Sequence, residues 1–177
     1  NDDIQGTGAM ALAGLLAATE QGKTLKEQVF LVSGAGAGGI GVAQQVRNGL
    51  VRLGMSAADA HKRIFVLDSR GLILNDREGL EDYKKEFAHQ RSDLAEWEFA
   101  SKNPNLLETI FNAKVTVLLG LSGQGASFDQ KIIDAVMKNT KKPIVFALSN
   151  PTNLTEIMPE DAIAWTDGQV WMATGSQ

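Results

Sequence analysis

Val29–Gly41 reads Val-Phe-Leu-Val-Ser-Gly-Ala-Gly-Ala-Gly-Gly-Ile-Gly. Its first four residues are apolar, and a short unbroken apolar run of this kind is typical of a parallel strand buried on both faces. Glycine then occurs with the spacing G-x-G-x-x-G, and apolar residues recur at helical spacing afterwards, at Ile40, Val42, Val46, Leu50 and Leu53. The stretch therefore predicts a buried strand, a tight turn and a helix.

The three glycines of this spacing each have a physical role. Gly34 permits the tight turn, Gly36 lets the backbone approach a pyrophosphate, and Gly39 lets the helix pack closely on the strand. Free N–H groups at the start of a helix, assisted by the helix dipole, hold phosphates. We therefore predict dinucleotide binding, rather than a purely structural turn, with five cofactor-binding residues: Gly34, Ala35, Gly36, Ala37 and Gly39.

Strands and helices are predicted to alternate along the rest of the chain. The predicted helices are Thr7–Glu20 with Thr7 as its cap, the helix after Gly34–Gly39, Ala57–His61, Asp129–Lys138 and Pro159–Trp165; the further strands are Arg63–Leu67, Val115–Leu119, Pro143–Leu148 and Val170–Ala173. We interpret the first helix as mostly buried, because it is apolar nearly all round. The alternation predicts an α/β fold, a doubly wound and mostly parallel sheet of the Rossmann type, with residues 1–177 as one domain. Ligands of such sheets lie at the carboxyl ends of the strands.

Asp68 ends the second predicted strand. A carboxylate at that point accepts hydrogen bonds from both ribose hydroxyls of adenosine, which favours NAD as the cofactor. The alternative is a turn aspartate that caps Ser69–Gly71. Basic residues nearby, at Arg70, Lys84 and Lys85, are suited to a 2′-phosphate, so NADP stays open.

Two adjacent carboxylates, Asp2 and Asp3, stand just ahead of the first predicted helix. Acidic residues there complement the helix dipole, which is one interpretation. The other is functional: one carboxylate is a metal ligand and the other orients a base. Hard divalent cations take oxygen ligands of this kind. Further ligands would have to come from elsewhere.

Two loops follow later strands. The small residues of Gly120–Gly125 allow a flat cofactor ring to lie close to the backbone, although a flexible loop has the same composition. The side-chain amide of Asn150 is suited to hydrogen-bond a substrate carboxylate or hydroxyl. The alternative is structural, because Asn-Pro is a common turn sequence. We interpret His61 and His89 as surface residues rather than catalysts.

Composition excludes several classes of protein. The formal net charge is −4 with both signs interspersed, so no basic stripe points to nucleic acid. The longest apolar stretch, Ala9–Ala18, is about half of what a membrane-spanning helix needs. Cysteine is absent, which excludes disulfides and thiolate chemistry and fits a reducing compartment, so we expect a cytoplasmic protein. The chain begins at Asn1 without methionine and stops at Gln177, and we expect it to be a piece of a larger protein.

Several motifs together resemble one family, the malic enzymes and the related malolactic enzymes. The motifs follow in the family's order over essentially the whole chain: Asn1-Asp2-Asp3-Ile4-Gln5-Gly6-Thr7, the glycine turn, Val66-Leu67-Asp68-Ser69, Phe87-Ala88-His89, Gly120–Gly125, Phe146-Ala147-Leu148-Ser149-Asn150-Pro151-Thr152 and Ala173-Thr174-Gly175-Ser176. The opening heptad and the Leu148–Thr152 run are specific to the family, whereas the glycine turn is not. Gln177 departs from the family's usual Gly-Ser-Pro ending.

The resemblance implies an activity and site residues. The family oxidatively decarboxylates malate to pyruvate and carbon dioxide with NAD or NADP and Mg²⁺ or Mn²⁺; the metal polarises the substrate oxygen and stabilises the enolate. The resemblance implies that Asp3 is a metal ligand, that Asp2 assists the general-base lysine, and that Asn150 contacts malate. The cofactor-binding residues would be Gly34–Ala37, Gly39 and Asp68, with Thr7, Ser69, Ser122 and Gly123 in addition. A lysine matching Lys84 lies near the 2′-phosphate in some NADP-dependent members.

The family's remaining catalytic groups match no residue of this chain. These groups are the general-acid tyrosine, the base lysine, two further acidic metal ligands and a second substrate asparagine. We therefore expect this chain alone not to turn over malate, and its longer parent to form a homodimer or homotetramer. Two alternatives stay open: a malolactic enzyme, which gives lactate with no net redox change, and a non-catalytic nucleotide-binding module.

Overall fold

The computed structural model describes residues 5–20 and 22–175. Its helices are α1 (Thr7–Thr19), α2 (Ala37–Arg52), α3 (Ala57–His61), α4 (Asp82–Lys85), α5 (Leu106–Ala113), α6 (Gln130–Met137) and α7 (Pro159–Trp165). Its strands are β1 (Phe30–Ser33), β2 (Ile64–Asp68), β3 (Gly71–Leu72), β4 (Val117–Gly120), β5 (Ile144–Ala147) and β6 (Trp171–Thr174). Short 3₁₀ helices cover Leu25–Glu27, Arg91–Leu94 and Thr152–Leu154.

The strands form one sheet in the order β3-β2-β1-β4-β5-β6. Five strands are mutually parallel, and β3 alone is antiparallel to its neighbour β2 among the described strands. The chain runs outward from β1 in one direction and then returns to start again at β4. The carboxyl ends of β1 and β4 therefore lie side by side, which is where ligands of open parallel sheets bind.

Alternate residues of β1 point to opposite faces of the sheet. Phe30 and Val32 pack with residues of α1 and α2, whereas Leu31 packs with residues of α5, α6 and α7. The three apolar residues of the strand are buried because helices cover both faces, and Ser33 at its carboxyl end is partly buried. This arrangement confirms the predicted α/β, doubly wound, mostly parallel sheet.

Three predictions about the elements were wrong in part. The structure has a short antiparallel strand, β3, where the sequence predicted only a turn. Helix α1 begins after Gly6 as its N-cap, with no side-chain cap, so Thr7 is a helix residue rather than the cap. The same helix is buried on one side only: Leu15 is fully buried, whereas Met10 is 75% exposed.

His89 is buried, so the interpretation of this histidine as a surface residue was wrong. Its ring stacks on Phe65 with 4.5 Å between the ring centroids, and its Nε2 lies 2.8 Å from the Ile64 carbonyl oxygen. Burial lowers the pKa of the His89 imidazole to about 4, against the hydrogen bond to Ile64, which acts to raise it. His61 is partly exposed beside it.

No helix in the described part of the chain is long and apolar enough to cross a membrane. Trp97, Trp165 and Trp171 each pack against the core from partly buried positions.

Candidate functional site

The glycine turn joins β1 to α2 and has little room for side chains. Gly34 has a φ of 114°, and a Cβ atom there would lie 2.4 Å from the Leu121 carbonyl oxygen. A Cβ atom on Gly39 would lie 1.8 Å from the Gly34 carbonyl oxygen. A Cβ atom on Gly36, by contrast, would have no protein atom within 4 Å. Two glycines thus serve close packing, and the third leaves open space in front of the backbone.

The amino end of α2 borders this open space. Gly36 is its N-cap in an extended conformation, and the cap makes no side-chain hydrogen bond. The first turn contains no acidic residue. The N–H groups there therefore lack the side-chain acceptors that commonly serve a helix start, and an anion such as a phosphate would complement them.

A cavity of about 300 Å³ opens beside the turn, at the carboxyl ends of the central strands. It is lined by Ser33, Gly34, Ala35, Gly36, Leu67, Asp68, Ser69, Tyr83, Lys84, Leu121, Ser122 and Gln124. Six of the residues predicted to bind cofactor thus come together: Gly34, Ala35, Gly36, Asp68, Ser69 and Ser122. We refer to this space as the turn cavity. Ala37 and Gly39 belong to α2 behind it, and Gly123 lies in the loop that borders it.

Asp68 is held at the turn cavity by a buried arginine. Arg77 Nη2 lies 2.7 Å from Oδ2 and 2.9 Å from Oδ1 of the carboxylate, and the Arg70 backbone N–H donates to Oδ1 at 2.9 Å. The side chains of Arg77 and Asp68 are only 3% and 12% exposed. Burial alone would raise the pKa of the Asp68 carboxyl, but the hydrogen bonds from Arg77 and Arg70 and the nearby positive charges lower it below its ordinary value.

The bond from the Arg70 N–H shows that Asp68 also closes the local turn, so the two interpretations of this residue are compatible. The carboxylate still borders the cavity and keeps capacity to accept hydrogen bonds, since an ionised carboxylate has about four acceptor positions.

The three basic residues considered for a 2′-phosphate differ in position. Lys84 lines the turn cavity, with its Nζ 3.8 Å from Asp68 Oδ2 and 2.9 Å from Glu81 Oε2. Burial lowers the pKa of the Lys84 ammonium, but the hydrogen bond to Glu81 and the surrounding negative charges raise it overall. Lys85 pairs with exposed Asp82, and Arg70 is exposed; neither lines the cavity.

Thr7 and Asn150 lie together in a second cavity of about 620 Å³, between α1 and the ends of β5 and β6. None of the residues that line this cavity lines the turn cavity. The structure therefore places the predicted substrate residue with Thr7, and it does not bring Thr7 to the glycine turn.

Ser122, Gly123 and Ser149 are joined by the fully buried Glu156. The Ser122 backbone N–H and hydroxyl donate to Glu156 Oε1 at 2.9 and 3.0 Å, and the Ser149 hydroxyl donates to the same oxygen at 2.5 Å. The Gly123 N–H donates to Ser149 Oγ at 2.9 Å. The loop after β4 is thereby tied to the loop after β5, which carries Asn150.

The predicted metal ligand Asp3 and the predicted catalytic residue Asp2 lie outside the described residues. Within residues 5–20 and 22–175, no group of three or more histidine or acidic side chains is arranged to hold a metal ion.

Sequence reasoning missed Arg77 and Glu156. Arg77 lies nine residues after Asp68 in an irregular polar segment, where no periodicity predicts the path of the chain. Glu156 gave one signal in the sequence: it is a single acidic residue between Asn-Leu-Thr and Ile-Met. A lone carboxylate in a loop is normally on the surface, however, so the signal did not indicate burial. The only tyrosine of the chain, Tyr83, also lines the turn cavity, with about half of it exposed.

The fold and the turn cavity together define a dinucleotide-binding domain of the Rossmann type. Comparison with known proteins identifies the family. The family model for the malic enzyme NAD binding domain matches residues 4–177, and this chain belongs to that family.

The relatives agree with this assignment. The chain is 39% identical to the NAD-dependent malic enzyme of Idiomarina loihiensis, over 99% of the chain and 32% of that relative. It is 42% identical to the NAD-dependent malic enzyme of Photorhabdus laumondii, over 99% of the chain and 31% of that relative. The chain thus spans about a third of the length of these relatives.

Solved structures show the same fold. The malic enzyme of Entamoeba histolytica matches 98% of this chain and 32% of its own, with a TM-score of 0.72 and 27% identity. The NAD-dependent malic enzyme of Thermotoga maritima matches 98% of this chain and 40% of its own, with a TM-score of 0.68 and 26% identity.

Proposed function

We propose that this chain binds NAD in the turn cavity, as the cofactor-binding part of a malic enzyme. The observation that carries the proposal is the glycine turn, in which Gly34 and Gly39 are closely packed while Gly36 faces open space at the amino end of α2. A pyrophosphate fits that space, against the backbone of Gly34–Ala37.

The remaining cofactor contacts follow from the position of the pyrophosphate. Asp68, with Ser69 beside it, would accept the adenosine ribose hydroxyls at the end of β2. The loop with Ser122 and Gly123 would border the nicotinamide at the end of β4. Thr7 would act from the second cavity, next to Asn150. Relatives named NAD-dependent support NAD over NADP, as does the Asp68 carboxylate in the cavity wall.

We propose further that the longer parent oxidatively decarboxylates malate to pyruvate and carbon dioxide. NAD, when bound, supplies the hydride acceptor for this reaction. Asn150 would orient malate. Asp3 would hold Mg²⁺ or Mn²⁺, and Asp2 would assist the general-base lysine. The relatives' names support malic over malolactic activity, and analysis of the parent's product, pyruvate or lactate, separates the two. A homodimeric or homotetrameric parent and a cytoplasmic location stay predictions.

The choice of cofactor is tested by calorimetric titration of this chain with NAD and with NADP. Because the Asp68 carboxylate would repel a 2′-phosphate, NAD should bind at least tenfold more tightly than NADP. Equal or tighter binding of NADP would contradict the assignment and indicate that Lys84 holds the phosphate. Absence of binding by either dinucleotide would overturn the proposed function.

A separate test, on the longer parent, distinguishes a catalytic part of a malic enzyme from a non-catalytic module. Asp3→Asn and Asn150→Ala should each abolish most malate turnover, while NAD binding is kept. Turnover that is unchanged in both variants would favour the non-catalytic alternative.

A further inference from the structure

Glu156 is a fully buried carboxylate that has no cationic partner within 4 Å among residues 5–20 and 22–175. Buried acids are normally paired with a base or a metal, because an isolated charge is costly away from water. Here the carboxylate is satisfied by hydrogen bonds alone. Its partners come from two different loops, at the ends of β4 and β5.

The hydrogen bonds to Glu156 all run in one direction. The Gly123 N–H donates to Ser149 Oγ, and the Gln124 N–H donates to Ser122 Oγ at 3.1 Å. Each serine hydroxyl in turn donates a hydrogen bond to Glu156 Oε1. A hydroxyl has only one hydrogen to donate. Each of these two series of hydrogen bonds therefore has to end on a group that only accepts, and a carboxylate is such a group.

The packing around the carboxylate is equally restrictive. A Cβ atom on Gly120 would lie 2.5 Å from Glu156 Cδ, so the end of β4 rests directly on this side chain. The Ser149 backbone N–H also points to Oε2, at 3.4 Å. A glutamine in this place could keep an oxygen toward the serines only by turning its amide N–H₂ toward that N–H.

We propose that Glu156 is a positioning residue, which fixes the loop Gly120–Gly125 against Ser149–Asn150 so that the nicotinamide half of the cofactor is held beside the substrate residue. The inference rests on the proposed function, because it assigns a task within that site. It concerns the nicotinamide half, since the pyrophosphate and the adenosine are assigned to Gly34–Ala37 and Asp68.

The test compares the affinity of two probes, NAD and ADP-ribose, measured by calorimetry on the same chain. ADP-ribose keeps every group assigned to the glycine turn and to Asp68 but has no nicotinamide. In the unchanged chain NAD should bind more tightly than ADP-ribose. Glu156→Gln should weaken NAD binding about tenfold, the effect of losing one hydrogen bond to a charged group, and should leave ADP-ribose binding within twofold.

Glu160→Gln is the matched control, because Glu160 is an exposed acid in the first turn of α7. It should change neither affinity. Ser149→Ala provides a second variant that keeps the carboxylate but removes the acceptor of the Gly123 N–H. It should show the same selective loss of NAD affinity, and it decides the matter if Glu156→Gln does not fold.

The outcomes separate the inference from the function on which it rests. Equal losses for NAD and ADP-ribose would show that Glu156 only stabilises the fold, and would overturn the inference. Equal affinities of the unchanged chain for both probes would overturn it too, while dinucleotide binding at the glycine turn would stand. A chain that binds neither probe would refute the proposed function itself, and the inference with it.

Discussion

At the scale of the residue, the side chain of Asp68 shows how a buried arginine fixes the orientation of a carboxylate in a cavity wall. The Asp68 side chain is 12% exposed, and Arg77 donates hydrogen bonds to both of its oxygens. The position of Asp68 at a strand end is predictable from the sequence, because the strand is a clear apolar run. Its partner is not, since Arg77 is brought back by an irregular segment without periodicity.

Loss of the Asp68 charge should destabilise the fold. Asp68→Asn leaves the buried guanidinium of Arg77 without a counter-charge, and the free energy of unfolding should fall by roughly 3 kcal/mol. Urea denaturation measures this change. Asp82→Asn is the control, because Asp82 is 95% exposed in its pair with Lys85 and its loss should change the free energy of unfolding far less. Similar small changes in both variants would contradict the importance of the buried pair.

His89 should make the fold sensitive to mild acid. The unfolded chain binds a proton to this imidazole near pH 6.5, whereas the folded chain does so only at about pH 4. The stabilisation is therefore fully present above pH 6.5 and is lost as the pH falls toward 4, by up to about 3 kcal/mol.

His89→Gln removes this titration while its amide can still donate to the Ile64 carbonyl. Denaturation measured across this pH range should show a flatter dependence in the variant. His61→Gln is the comparison, because His61 is less buried than His89. Burial, and after it the positive charge of Arg47, lowers the pKa of the His61 imidazole. A pH dependence unchanged by His89→Gln would assign the acid sensitivity to other groups.

At the scale of the element, unbroken apolar runs predicted the strands reliably, whereas helix α5 was not predicted. The apolar runs of β1, β2, β4, β5 and β6 placed those strands to within a few residues. Strand β3 was missed because two residues cannot show a period. Helix α1 was misjudged because an almost wholly apolar helix has no polar face to mark its solvent side, and Met10 is exposed there.

The glycine turn allows stability and binding to be separated within one element. Gly39→Ala places a methyl group against the Gly34 carbonyl oxygen and should cost about 3 kcal/mol of folding free energy, because α2 must move away from β1. Gly36→Ala should cost less than about 1 kcal/mol, since open space surrounds that position. It should nevertheless weaken NAD binding at least tenfold, because the methyl group occupies the place of the pyrophosphate.

Gly22→Ala is the control for both variants, because a Cβ atom at Gly22 also has no neighbour within 4 Å. It should alter neither the denaturation midpoint nor the affinity for NAD. Unchanged NAD affinity in Gly36→Ala would argue against a pyrophosphate at this turn.

At the scale of the whole molecule, the alternation of strands and helices predicted the sheet and the edge at which the site lies. It did not predict that the candidate residues divide between two cavities, with the glycine turn in one and Asn150 in the other. That division depends on how α1 packs across the sheet, which involves side chains distant in the sequence. Glu156, which bridges the two loops, was for the same reason not foreseen.

This chain alone should not turn over malate. The family's general-acid tyrosine and base lysine match no residue here, and the described residues offer no cluster for a metal. Mixing the purified chain with malate, NAD and Mn²⁺ should give no NADH absorbance above that of a sample without malate, whereas the full-length parent should give a clear signal. Malate-dependent NADH from the chain itself would contradict this expectation.

The single tyrosine of the chain has a practical consequence. Since Tyr83 stands in the wall of the turn cavity, a chain grown with a fluorinated tyrosine would carry one fluorine nucleus, placed where the cofactor is proposed to lie. Its magnetic resonance spectrum would contain one protein signal, free of overlap. The frequency of that signal would report directly whether the cavity is filled, and its exchange broadening would report how quickly the occupant leaves.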